Sequence, residues 1–326
     1  MNLRTPRTGR AGRAQDATRT ASPPAQDSTR TVSPPARAST DAALLPDARA
    51  GGLSGSPATA VVTGGSSGIG EAFAWELAAR GHDLVLVARR PGPLEDVAVG
   101  IAKRHGVLVE TLAADITVPA ERARVEARLA DPDRPVEVLV NAAGTMGRVG
   151  PLALQDAAAE DHKIELNAAA LVRLTRAALP GMVARRSGTV LNLASVAAFT
   201  PAPGGATYAA TKAFVTTFSR AVREEVGPLG VRVIAVCPGA TRTAGREAKG
   251  AHRGRMGPVL DASDVVRKAL AAAAAGRPEC VPGAEYRLRV ALARHVPGLY
   301  RRLFQRGWQE RTARALAGAL TKEVPR

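Results

Sequence analysis

The sequence predicts an α/β fold: a doubly wound parallel sheet with helices on both faces. Three observations predict it. Short runs of Val, Leu, Ile and Ala recur between longer helix-period segments, the runs are apolar at consecutive positions, and a glycine-rich turn follows the first of them. Strands buried on both faces read as such continuous runs, and helical crossovers between them give a parallel sheet.

The first strand is TAVVTGG (59–65), with order expected to begin near Ala58. GIGEAFAWELAARG (68–81) follows as a helix, with Ala72, Phe73, Leu77 and Ala78 on one side and Gly81 beyond its end. HDLVLVARR, VLVETLAAD, VEVLVNAAG, GTVLNLASV and VRVIAVCPG supply the later strands, with helices between them. No internal repeat is visible.

Two flanks differ from this core, so the chain divides into 1–56, 57–282 and 283–326. Residues 1–56 are rich in Ser, Thr, Pro, Ala and Arg and keep neither strand nor helix period. Such a segment buries too little apolar area to offset its ordering entropy, so a disordered N-terminal arm is expected. It reads as a dispensable extension, with an Arg-rich docking or targeting arm as the alternative. Residues 283–326 read as a C-terminal helical extension broken at Pro297-Gly298. Leu288, Leu292, Leu299, Leu303, Phe304, Trp308, Leu316 and Leu320 outline an apolar stripe, with Arg over much of the rest. A helical cap packed on the domain is the favoured reading. A basic amphipathic anchor touching an anionic membrane surface is the alternative.

Composition narrows the function classes. Of 326 residues 45% are hydrophobic but only 3% aromatic, so Ala, Val and Leu must build the core. The net charge is +16, but residues 1–56 hold +4 of it and residues 283–326 hold +7. With most of the excess outside the middle, and with no zinc-ligand spacing or aromatic-basic patch, no nucleic-acid partner is expected. Cys237 and Cys280 are lone thiols, which fits a reducing, cytoplasmic setting. No apolar run reaches the roughly 18 residues of a membrane span. The first residues lack the apolar stretch of a secretory signal.

The glycine turn comprises Gly64, Gly65, Ser66, Ser67, Gly68, Ile69 and Gly70, directly after a strand and opening a helix. There the backbone can approach a pyrophosphate and the helix N-terminus offers free N–H groups. The end of the second strand discriminates between cofactors. An Asp or Glu there would hold the ribose 2′-hydroxyl of NAD. This chain has Ala88, Arg89 and Arg90 instead, and Arg grips a 2′-phosphate, so NADP (as NADPH) is expected, with Arg89 ahead of Arg90.

Further along, Asp115, Asn141-Ala142-Ala143-Gly144, Asn167, Ser195, Tyr208 with Lys212 one helical turn on, and Pro238-Gly239 with Thr243 follow in order. Reducing a carbonyl places negative charge on oxygen, which needs a donor able to deliver a proton. Tyr208 can serve, Lys212 is expected to lower its pKa, and Ser195 can bond the substrate oxygen. Asn167 falls inside a predicted helix, where Asn is disfavoured.

With these motifs in this order, residues 57–282 resemble a classical short-chain dehydrogenase/reductase with a Rossmann fold. The resemblance implies catalytic roles for Asn167, Ser195, Tyr208 and Lys212. It places Lys212 also on the nicotinamide ribose and Asn167 on a water of a proton relay. Asp115 would contact the adenine, with Ile116 beside it, and Asn141, Ala142, Ala143 and Gly144 would flank the cofactor. Pro238, Gly239, Thr241 and Thr243 would line its nicotinamide end. No metal is needed, and a homo-oligomer is expected. A ketone or aldehyde reductase, reversible on alcohols, is the leading reading, with a 3-oxoacyl reductase as the alternative. A non-catalytic NADPH sensor or scaffold is the rival from another class. Thr241 to Met256 would form a substrate lid, whose Arg242, Arg246, Lys249, Arg253 and Arg255 read as solvated surface charge, with attraction of an acidic substrate or a carrier-bearing acyl group as the alternative.

Overall fold

The computed structural model describes residues 29–32, 58–200, 203–243 and 257–320. The strands are β1 (Thr29–Val32), β2 (Thr59–Thr63), β3 (Asp83–Ala88), β4 (Val109–Ala113), β5 (Val136–Asn141), β6 (Gly188–Leu193), β7 (Val231–Val236) and β8 (Glu279–Cys280). They form one sheet in the order β1-β4-β3-β2-β5-β6-β7-β8. Every pairing is parallel except β1 with β4. The order reverses at β2, which has β3 on one side and β5 on the other. Ligands of open α/β sheets bind outside the carboxyl ends of the strands at such a switch point.

Helices cover both faces. On one lie α1 (Gly68–Ala79), α2 (Pro91–His105) and α7 (Ala262–Ala274), packed through Phe73, Leu77, Leu94, Ile101, Val265 and Leu270. On the other lie α3 (Pro119–Ala130), α5 (Ala170–Ala184) and α6 (Ala206–Val226), packed through Val125, Leu129, Leu174, Met182, Val222 and Val226. The strands deal alternate residues to the two layers. Leu84 and Leu86 of β3 join the first core, and Val85 and Val87 join the second. This is why the strand runs carry apolar residues at consecutive positions, as in the LVLV of β3. Helix α4 (Ala157–Ile164) begins at Asp156, whose carboxylate accepts from Ala159 N at 2.8 Å.

Strand β1 departs from the sequence reading, which expected no order before Ala58. Its residues TRTV pair antiparallel with the edge strand β4, Arg30 opposite Thr111. Thr and Val suit an extended chain, and backbone hydrogen bonds to an open edge need no apolar face of their own.

The C-terminal extension forms α8 (Ala284–His295), a turn at Pro297–Tyr300, a wide π turn at Arg301–Gln305, and α9 (Arg306–Leu320). The break falls at Pro297, as its missing N–H requires. The apolar stripe is corrected. Leu288 is 61% exposed and Leu303 59%, and Leu299 and Phe304 are exposed as well. Leu292, Trp308 and Leu316 are half-buried, while the side chain of Leu320 lies outside the described residues. Instead α8 docks through Tyr286 and Val290, four residues apart and both buried. Leu288 sits two positions from each and is carried to the outer face. No helix among the described residues is long and apolar enough to cross a membrane.

Candidate active site

The glycine turn starts where β2 ends. Thr63 Oγ1 accepts from the backbone N–H groups of Ala142 and Ala143, both at 3.1 Å, and so ties the loop after β5 beside the turn. A Cβ at Gly70 would lie 2.3 Å from the carbonyl oxygen of Gly64, so the turn closes this tightly only without a side chain there. Ser67 caps α1 from an extended conformation, and Ser66 is half-buried beside it. Ile69 packs down onto the core. Thr243 reaches the turn from far along the chain. Its Cγ2 would lie 3.0 Å from a Cβ on Gly68.

Arg89 and Arg90 follow β3 and are exposed. Arg89 Nη1 lies 3.8 Å from Asp115 Oδ2, which brings two predicted cofactor residues together across the strand ends. Asp115 Oδ1 accepts from Thr117 N at 3.0 Å and Thr117 Oγ1 at 2.7 Å. Burial pushes its carboxyl up, but the Thr117 bonds and the Arg89 charge outweigh this and hold it below the usual range. Ile116 is buried, and its carbonyl accepts from Arg122 Nη1 at 3.0 Å. The Asn141 side chain turns away from the glycine turn, into the sheet. Its Nδ2 donates to Asn192 Oδ1 at 2.9 Å and to Thr175 Oγ1 at 3.1 Å.

A second cluster gathers at the carboxyl ends of β5, β6 and β7. Asn167 stands in a π turn, Glu165–Ala169, between α4 and α5. Such turns are frequent at functional sites, and this one gives the disfavoured helical Asn its place. Asn167 Oδ1 accepts from Thr145 N at 2.8 Å, and Nδ2 donates to Thr145 O at 2.8 Å and Thr211 Oγ1 at 3.2 Å. Gly144 lies between Asn167 and Lys212; a Cβ there would sit 3.0 Å from Asn167 Oδ1 and 3.5 Å from Lys212 Nζ.

Ser195 caps a one-turn 3-10 helix, Val196–Phe199, accepting from Ala197 N at 3.2 Å and donating to Pro238 O at 3.5 Å. Its hydroxyl stands near enough to the Tyr208 phenol to oppose the effect of burial on that group. Lys212 is buried; its Nζ donates to Leu193 O at 2.6 Å and lies 5.8 Å from the centre of the Tyr208 ring. Thr241 Oγ1 donates to Gly239 O at 3.2 Å.

Burial pushes the Tyr208 phenol up, and the nearby Ser195 hydroxyl opposes it. Lys212 is itself lowered to about 8, because burial penalises its charged form.

Thr145 and Thr211 were missed by the sequence reading, although the first directly adjoins a quoted motif and the second lies just before Lys212. Of the expected lid, residues 244–256 lie outside the described residues, and with them Arg246, Lys249, Arg253 and Arg255. Among the described residues, no group of three or more His, Cys, Asp or Glu is placed to hold a metal.

Residues 58–254 match the sequence pattern of the family described as short chain dehydrogenase. The very-long-chain 3-oxoacyl-CoA reductase of Bos taurus is 39% identical over 183 residues, covering 55% of this chain and 58% of that protein. The chain thus spans little more than half the length of the curated relatives it matches. Among solved structures, a short-chain dehydrogenase from Sphingobium yanoikuyae in complex with NADPH is similar, with TM-score 0.65 and 34% identity over 82% of this chain and 97% of that one. A bulky-bulky ketone specific alcohol dehydrogenase from Comamonas testosteroni gives TM-score 0.64 and 33% identity over 76% and 96%.

Proposed function

The chain belongs to the short-chain dehydrogenase family, which makes it an NAD(P)-dependent oxidoreductase, and we propose that it reduces a 3-oxoacyl thioester at the expense of NADPH. The observation that carries the chemistry is the cluster of Ser195, Tyr208 and buried Lys212 at the end of β6, with Lys212 Nζ 5.8 Å from the centre of the Tyr208 ring. The similarity to very-long-chain 3-oxoacyl-CoA reductases moves the substrate from a general ketone or aldehyde to an acyl thioester.

The residues fit the cofactor. The glycine turn leaves room that a Cβ would fill, α1 presents its N-terminal N–H groups, and Arg89 and Arg90 stand where a carboxylate would repel a 2′-phosphate. When bound, NADPH supplies the hydride that adds to the C3 carbonyl carbon. The Ser195 hydroxyl bonds the C3 oxygen and orients it. Tyr208 donates its phenolic proton to that oxygen as charge builds there, giving the 3-hydroxyacyl thioester. Lys212 and Asn167 flank Gly144 and can return a proton to the tyrosinate.

Turnover of 3-oxoacyl-CoA substrates of increasing chain length, followed by loss of NADPH absorbance, tests the reading. Rising kcat/KM with chain length supports it; extra methylenes are each worth about 1–3 kcal/mol in an apolar pocket. The second reading, a reductase of bulky ketones, is favoured by the Comamonas testosteroni relative. Turnover of free ketones with none of any thioester would replace the first reading by the second.

Arg89→Ala is expected to weaken NADPH about tenfold and leave NADH unchanged, since the lost contact is one exposed charge-assisted bond. Arg90→Ala should do less. KM values for the two cofactors check this, and equal loss for both would refute the assignment of the 2′-phosphate to Arg89.

A further inference from the structure

Tyr286 belongs to the C-terminal extension, yet it is built into the active-site wall. It is 2% exposed. Its hydroxyl accepts from Ala240 N at 3.0 Å and donates to Pro258 O at 2.9 Å, so one side chain joins the segment after β7 to the segment before α7. Three glycines make room for it. A Cβ on Gly239 would lie 2.0 Å from the ring, one on Gly257 3.0 Å from the ring and hydroxyl, and one on Gly283 3.3 Å from the ring edge. The fit is closest at Gly239, where any side chain would overlap the ring.

The held segment touches the chemistry. Pro238, next to Gly239, accepts from Ser195 Oγ at 3.5 Å and from Val196 N at 3.1 Å. Thr243, three residues beyond Ala240, sits over Gly68 of the glycine turn. Leu260 N donates to Ala240 O at 2.7 Å and Arg242 N to Leu260 O at 2.8 Å, so the position of Ala240 passes along both strands of this short ladder.

We propose that Tyr286 is a positioning residue: it fixes the Pro238–Ala240 backbone and so sets the nicotinamide half of the cofactor site, which makes the C-terminal extension part of the catalytic unit. The proposal rests on the reading that this segment lines the nicotinamide end of bound NADPH. It accounts for the pairing of a buried Tyr with three glycines that make room for its ring.

The test compares Tyr286→Phe with the unaltered full-length chain by calorimetry. One ligand is NADPH. The other is adenosine 2′,5′-bisphosphate, which carries the adenine and the 2′-phosphate but no nicotinamide. Tyr286→Phe keeps the ring against Gly239 and removes the hydroxyl with its bonds to Ala240 N and Pro258 O. NADPH binding is expected to weaken about tenfold, the scale of a lost hydrogen bond to a buried backbone group, and kcat to fall with it. Bisphosphate binding should stay unchanged, because that half of the ligand lies toward Arg89. Equal weakening of both ligands would show a merely structural role and overturn the proposal, as would unchanged NADPH binding. If the unaltered chain binds the bisphosphate but not NADPH, or neither, the cofactor reading itself falls and the proposal falls with it. Tyr286→Leu, measured alongside, should weaken NADPH further while sparing the bisphosphate.

Discussion

Tyr208→Phe is expected to lower kcat about a thousandfold while leaving NADPH affinity unchanged. A positioned general acid contributes roughly 10²–10⁴-fold, and the phenolic hydroxyl is the proton donor that stands beside Ser195 and Lys212 in this cluster. The ring itself stays in place in the Phe variant, so loss of the proton donor is isolated from loss of packing. The pH dependence follows from the direction of the shift. Burial pushes the phenol above its ordinary value, so Tyr208 is protonated throughout the neutral range and reduction should be flat there, falling only at alkaline pH. The reverse oxidation needs the tyrosinate and should rise with pH over the same alkaline range. Steady-state rates in both directions check this. A Tyr208→Phe enzyme retaining even a tenth of wild-type turnover would remove Tyr208 from the mechanism.

Lys212→Met should trade function for stability. Burial lowers Lys212 to about 8 from an ordinary value of 10.5. The folded-state pKa lies below the unfolded one, so between those two values the unfolded chain binds more protons, and stability rises with pH across that window. Below about pH 8 the residue is charged in both states, and the folded state carries the full cost of burying an ammonium, roughly 3 kcal/mol for a shift of this size. Methionine has a similar shape without the charge, but it leaves the Leu193 carbonyl without its donor at about 1 kcal/mol. A net gain of about 1–2 kcal/mol at pH 7 is expected, together with a flatter stability profile from pH 8 to 10.5. Activity should drop by at least about a hundredfold as the proton-handling group disappears. Denaturant melts of the cofactor-free variant at several pH values decide it. A variant less stable than wild type at pH 7 would show that Lys212 is well compensated in the fold.

These two residues were legible in the sequence because their chemistry depends on local spacing: Tyr208 and Lys212 are one helical turn apart and share a face wherever α6 goes. The strands were legible for a related reason, since two covered faces put apolar residues at consecutive positions, as in the AVV of TAVVT and the VIAV of VRVIAV. Other features depend on partners far away in the chain. Strand β1 exists because β4 offers an open edge, which nothing in TRTV reveals. The burial of Tyr286 depends on Gly239, 47 positions earlier, and it turned α8 so that the leucines read as a stripe face outward. Asn141 read as a cofactor neighbour by its motif, whereas its side chain bridges β5 to β6 and α5. The burial that pushes Tyr208 up and Lys212 down depends on distant packing, whereas a sequence gives only the distance along a helix.

The π turn at Glu165–Ala169 has a geometric consequence for everything after it. An α-helix advances about 100° per residue, so one residue beyond the normal count shifts the angular phase of all that follows by about that much. Helices α4 and α5 run as one rod, yet they are phased independently. In α4 only Lys163 is buried, while α5 turns Ala170, Leu174, Ala178 and Met182 to the sheet. The extra residue acts as a phase shifter: it lets a solvent-facing helix continue into a core helix without a break in the chain, and it puts Asn167 at the step between the two phases. Removing one residue from this turn would leave two helices of acceptable sequence aimed in incompatible directions.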